Sequence, residues 1–138
     1  MADDSIDPNA FLDIMGLAAR QVGAVALRFY GKVANLEKEV VGRTFANDDH
    51  RAAIQALSDV DLAAQEVLLV ALADRYPFVQ LEPEEDTPSV AWFAGNESRY
   101  SVVLDPIDGT LNYITTRGKF GVMVGLMEED RYVAGLVY

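Results

Sequence analysis

Apolar residues follow two different rhythms along this chain. In the first third, Phe11, Leu12, Met15, Ala18, Ala19, Val22, Ala26, Phe29 and Tyr30 recur at helical spacing. Asp7 suits the N-cap, Pro8 the first helical position, and Gly31 stops the run. A second helix is expected from about Ser58, as its cap, to Tyr76, with Pro77 just beyond. Its start can lie earlier, because "HRAAIQAL" also favours helix. Between them, residues 32–50 read as an extended pair broken by Gly42 and running into a polar loop, "ANDDHR". The rhythm then changes. "FVQLE", "VAWFA", "RYSVVLD", "KFGVMVGLM" and "RYVAGLVY" are short, rich in β-branched and aromatic residues, and separated by turn-like clusters. "EED" at 128–130 reads as a hairpin loop.

Helices followed by strands predict an α+β fold, a layered α/β sandwich. Two long N-terminal helices would pack on a mostly antiparallel sheet. No repeat or linker interrupts the pattern, so residues 1–138 are expected to form a single domain.

Composition narrows the function. Apolar residues make up 51% and charged residues 24%, a balance that supports a packed core rather than disorder. Contiguous apolar stretches such as "VLLVALA" are far shorter than the roughly 20 residues a bilayer needs, so no membrane partner is expected. The acidic start "MADDSIDPNA" is unlike a secretory or mitochondrial leader. There are no cysteines, which excludes disulfides, thiolate metal sites and cysteine nucleophiles; together these features predict a cytoplasmic protein. The net charge of −11 opposes nucleic acid binding. An anionic substrate would need a bound cation to attract it.

The chemistry concentrates in "VVLDPIDGT". Pro106 cannot donate to a sheet ladder, so pairing is expected to stop there, with Asp105 at the strand end and Asp108 in the turn. Gly109 permits a left-handed backbone, and Thr110 could cap a short helix starting near Leu111. Two carboxylates beside an open helix start would suit a metal-bound phosphate. An ordinary acidic turn explains the same spacing, since Asp-Pro and Asp-Gly are common turn dipeptides. "LEPEED" (81–86) and "SDVD" (58–61) are two more acidic clusters. Taken singly, they read as a solvated loop and a helix start that favours acidic residues. Together the three offer hard oxygen ligands suited to magnesium. His50, the only histidine, lies in the polar loop.

"DPIDGTLNY" resembles the "DP-(I/L)-D-G-T-x-N-(F/Y)" signature of the inositol monophosphatase superfamily, magnesium-dependent, lithium-sensitive sugar phosphatases. "YPFVQLEPEE" resembles that family's "YP…GEE" segment, "SDVDLAAQE" its "T-x-A-D-L-A-A-Q" helix start, and "YVAGLVY" its "GVVY-x-P" strand. The resemblance implies that Glu84, Asp105 and the carbonyl of Ile107 hold a first Mg2+, and that Asp105 and Asp108 share a second. Asp108, Gly109 and Thr110 would face the substrate phosphate. Thr110, hydrogen-bonded to Asp61, would orient and deprotonate the attacking water.

The implied substrate is a small phosphorylated polyol or sugar. The implied assembly is a dimer or other homo-oligomer, or a pairing with a missing C-terminal half. The departures are Pro83 in place of glycine, and Thr116 and Gly118 where many members have glycine and proline. No lysine stands in the polar loop before Asp61. Family members are about twice as long, and their second half supplies a "W-D-x-A-A-G" motif that completes the second metal site. A catalytically incomplete half-domain, acting as an interaction module or as part of a split enzyme, is the alternative.

Overall fold

The computed structural model describes residues 4–138; of the domain expected over 1–138, residues 1–3 lie outside the described residues. Helix α1 spans Pro8–Phe29, α2 Asp48–Gln55, α3 Asp59–Arg75 and α4 Thr110–Ile114. The strands are β1 Gln80–Pro83, β2 Tyr100–Asp108, β3 Gly121–Glu128 and β4 Arg131–Val137. They form one sheet in the order β1-β2-β3-β4. β1 runs parallel to β2, and the other pairs are antiparallel. The expected α+β sandwich layer is therefore present, with α1 and α3 stacked on the sheet.

The helix ends follow from the caps. Asp7 accepts from the Asn9 N–H, satisfying an orphan donor just before Pro8 begins the helix. Ser58 and Asp61 form a reciprocal capping box at the start of α3. Phe11, Met15, Ala19, Val22 and Ala26 of α1 and Leu68, Leu69 and Leu72 of α3 are buried against Val102, Leu104, Val124 and Leu126 of the sheet. Each such large side chain contributes about 1.5–3 kcal/mol relative to exposure.

Contrary to the apolar-stretch reading, α1 is long and apolar enough to cross a membrane, with a mean hydropathy of 1.4. Its buried stripe is the face that packs on α3 and the sheet.

Alternation along β2 points Tyr100, Val102 and Leu104 to the core and puts Ser101, Val103 and Asp105 on the opposite face. Pairing does not stop at Pro106. Asp105 pairs with Met123 and Asp108 with Gly121, so β2 carries one extra residue between them, and the proline sits in that irregularity.

Three further expectations fail. Residues 32–47 hold no strand, and α2 follows where a polar loop was expected. Among the described residues, the backbone bonds Leu36 N–H to Leu57 O and Lys38 N–H to Gln55 O (2.8 Å each) give this connection a paired character. "VAWFA" lies in a 3₁₀ helix, Pro88–Phe93, whose first proline fixes a helical φ and donates no ladder bond. Thr110 is the first residue of α4 rather than its cap, a place taken by Gly109.

Candidate active site

Four places in the fold meet at the end of β2. β2 supplies Asp105, Ile107 and, as its last residue rather than in the turn expected for it, Asp108, and the turn that follows supplies Gly109 and Thr110. The loop after β1 supplies Glu84, and the connection before α2 supplies Lys38 and Arg43. All of these line one pocket of about 660 Å³.

The turn is fixed from below and from within. Gly109 has φ +80°, and a Cβ there would lie 2.6 Å from the carbonyl oxygen of Lys119, so only glycine fits. Tyr113, fully buried, donates from its hydroxyl to the Ala26 carbonyl at 2.7 Å. Its ring meets Phe120 edge-on at 4.8 Å, and Tyr30 stacks on Phe120 at 5.4 Å. The aromatic residue of the "DPIDGTLNY" stretch thus buttresses the turn against α1. Among the described residues, no side chain caps α4. Its first N–H groups have no intrahelical partner and belong to residues that line the pocket.

Asp61 lies behind the turn, only 1% exposed. Its Oδ2 accepts from the Ser58 N–H at 2.9 Å and from the Ser58 hydroxyl at 2.5 Å. Its Oδ1 lies 2.7 Å from Thr110 Oγ1, which also lies 2.8 Å from the Ile107 carbonyl oxygen. Thr110 has one hydroxyl proton, so it can serve only one of these acceptors at a time. The carboxylate is the stronger acceptor. With the proton directed at Asp61, the Ile107 carbonyl is free of it, and the lone pairs of Thr110 Oγ1 are left to accept a proton. Burial raises the pKa of Asp61, partly offset by its bonds from Ser58 and Thr110.

Asp105 is the most perturbed group. Burial, and then the negative charges of Glu84, Asp108 and Asp61, push its carboxyl up to about 7. Carboxylates gathered with so little counter-charge favour a cation. The compensating positive charge is Lys38, whose Nζ donates to Glu84 Oε1 at 3.1 Å and to Glu85 Oε1 at 2.9 Å. Burial acts to lower the Lys38 pKa, but the bonds to Glu85 and Glu84 outweigh it and leave it raised. Glu85 is raised by burial first, with Lys38 opposing and Asp61 and Glu84 adding to the rise.

The donor set of carboxylates and a carbonyl suits a hard divalent cation such as Mg2+. Among the described residues, no three acidic or histidine side chains converge as a ready ligand group, and Glu84 is engaged by Lys38. The structure thus brings Glu84, Asp105, Ile107, Asp108, Gly109 and Thr110 to one pocket, with Asp61 behind them.

Sequence reasoning missed two partners. Lys38 stands 46 positions before Glu84, in the connection rather than in the polar loop before Asp61, and nothing local marks it. Gln65 lies inside the recognised "SDVDLAAQ" stretch, and its place in the motif was the available signal.

The pattern extends to known proteins. A profile described as "Inositol monophosphatase family" matches residues 10–138. An inositol monophosphatase of Dictyostelium discoideum is 31% identical over 90 residues, covering 65% of this chain and 32% of the relative. A 3'(2'),5'-bisphosphate nucleotidase of Salmonella typhimurium is 36% identical over 78 residues, covering 56% of this chain and 31% of the relative. The crystal structure of extragenic suppressor protein suhB from Bartonella henselae superposes with a TM-score of 0.73 at 23% identity. It covers 94% of this chain and 45% of that one. The chain therefore spans about a third of the two curated relatives and under half of the solved protein.

Proposed function

The chain belongs to the inositol monophosphatase family, and from that membership we propose that it carries the metal- and phosphate-holding part of a phosphoric monoester hydrolase. The substrate class is a small phosphorylated polyol or sugar, and the cofactor is Mg2+. The observation that carries this reading is the Thr110 to Asp61 hydrogen bond, 2.7 Å long, at the wall of a pocket that also holds Glu84, Asp105 and Asp108.

In this reading Glu84, Asp105, Asp108 and the Ile107 carbonyl hold the metal. Bound Mg2+ supplies polarisation of the phosphoryl group, a lowered pKa for water and neutralisation of the leaving oxygen. The chain's own residues do the rest. Gly109 and Thr110 offer backbone N–H groups to the phosphate. Thr110 Oγ1 accepts a proton from the attacking water as its own proton passes to Asp61, whose raised pKa suits it to receive one. No side chain attacks the phosphorus.

The test is phosphate release from inositol monophosphate by this chain, with and without Mg2+, beside an Asp108→Asn control. Release that needs Mg2+ and is lost in the variant supports the reading. Release that needs no metal overturns it.

A second reading, an interaction module or one part of a split enzyme, draws on the sheet's far face. Met123 is 39% exposed there and Val137 73%, and Tyr132 on the same edge strand is 63% exposed. No phosphate release, together with a self-associated species in sedimentation, favours this reading.

A further inference from the structure

Asp61 and Gln65 stand one turn apart on α3, and both are buried. Asp61 holds the Thr110 turn. Gln65, fully buried, holds the other wall of the site. Its Nε2 donates to the Glu85 carbonyl at 2.7 Å and to Thr87 Oγ1 at 2.8 Å, and its Oε1 accepts from the Glu85 N–H at 3.0 Å. Both hydrogens of the amide and its oxygen are used. The Glu85 N–H lies in the same peptide plane as the Glu84 carbonyl. Holding that plane fixes Glu84 on its C-terminal side, the β1–β2 pairing of Pro83 with Leu104 holds it on the other, and the rotamer of Glu84 then aims its carboxylate. The next residue, Glu66, accepts from the N–H and hydroxyl of Ser89, so α3 grips the loop a second time.

We infer that Gln65 is a positioning residue. It fixes the peptide after Glu84 so that the Glu84 carboxylate faces the pocket shared by Asp105 and Asp108, and it thereby sets the affinity for a divalent cation. One helix, through two side chains four positions apart, then holds both walls of the site in register. This inference rests on the metal-dependent reading above. It concerns a residue outside the ligand set, acting through the backbone of its neighbour.

The test is Mg2+ binding to the whole chain by titration calorimetry, with folding followed by circular dichroism. Gln65→Met keeps the volume and loses all three bonds, and affinity is expected to fall about tenfold, the scale of a lost outer-shell partner. Val22→Ala, a destabilising change in α1 remote from the pocket, is expected to leave Mg2+ affinity unchanged. Gln65→Glu provides the sharper arm. An added negative charge near the site should tighten Mg2+ by simple attraction, whereas a carboxylate there loses both donated bonds and repels the Glu85 carbonyl, pushing the Glu84–Glu85 peptide out of place, which should weaken it. Weaker binding in Gln65→Glu supports positioning, and it decides the matter if Gln65→Met does not fold. Equal or tighter binding in Gln65→Glu, or a Gln65→Met affinity within twofold of the parent, overturns the inference while leaving the metal site intact. No Mg2+ binding by the parent chain overturns the metal-dependent reading and this inference with it.

Discussion

Thr110 Oγ1 and Asp61 Oδ1 lie 2.7 Å apart although 49 positions separate them in sequence. The bond ties the turn after β2 to the buried start of α3, and it does so with a carboxylate that also caps that helix. Asp61→Asn separates these duties. An amide cannot accept from Ser58 and Thr110 on both of its ends, so one buried donor is left unpaired. We expect a stability loss of about 1–3 kcal/mol in urea denaturation. Phosphate release should fall at least about a hundredfold, the usual scale for a lost general base. A variant with near-parent turnover would remove Asp61 from the proton path.

The gathered carboxylates predict how the metal-free protein responds to pH. Asp105, Asp61 and Glu85 all have folded-state pKa values raised above the unfolded ones. At these three groups the folded state therefore binds more protons than the unfolded chain across the acid range, with Glu66, lowered because burial is outweighed by its bonds from Ser89 and Thr87, acting the other way. The contribution of the three to stability is present below the ordinary carboxylate range near pH 4 and is lost as pH rises toward about 7, the Asp105 value. In EDTA, Asp105→Asn should be more stable than the parent at pH 7.5, with the difference vanishing near pH 4. Urea midpoints at the two pH values check this, and a difference that grows toward acid contradicts it.

Lys38 is the counter-charge for Glu84 and Glu85, and the Glu85 side chain is only 5% exposed. Lys38→Met leaves these two acids facing each other without it. Metal-free stability at pH 7.5 should drop by about 1–3 kcal/mol, as for a buried group stripped of its partner. Mg2+ affinity should move the opposite way and rise severalfold, because the ammonium no longer competes for Glu84. Calorimetry and urea denaturation on the same sample read both signs.

Gly109→Ala tests the turn directly. The left-handed backbone costs an L residue roughly 1–2 kcal/mol. The added Cβ would also meet the Lys119 carbonyl at 2.6 Å. The expected loss is at least about 2 kcal/mol, with phosphate release abolished as the Thr110 N–H turns away from the pocket. Unchanged stability would show that the turn can relax without cost.

Local chemistry carried the sequence reading where caps and breakers were decisive. Asp7-Pro8 and Ser58 mark the starts of α1 and α3, and Glu129-Asp130 form the β3–β4 turn. It failed where tertiary contacts overrode local preference. Val90, Trp92 and Phe93 favour strand, yet they lie in a 3₁₀ helix begun by Pro88 and tied by Ser89 to Glu66 on α3. Taken alone, Asp61 read as an acid that suits a helix start, and only the fold buries it. Lys38 escaped for the same reason, since its meaning lies in two glutamates far along the chain. That Asp105 and Asp108 share a pocket with Glu84 was legible mainly through the family resemblance, because an acidic turn has the same spacing.

The connection between α1 and α3 has its two feet pinned. Leu36 bonds to Leu57 and Lys38 to Gln55, so residues 39–54 leave and return at one place. Lengthening such a closed detour costs only a slowly growing loop entropy. That detour supplies Val40, Val41 and Arg43 to one side of the pocket, while the carboxylates come from elsewhere. Selection can therefore rebuild that side of the wall while the acidic part stays as it is. The shape of the pocket and its negative charge become separately heritable traits of one chain.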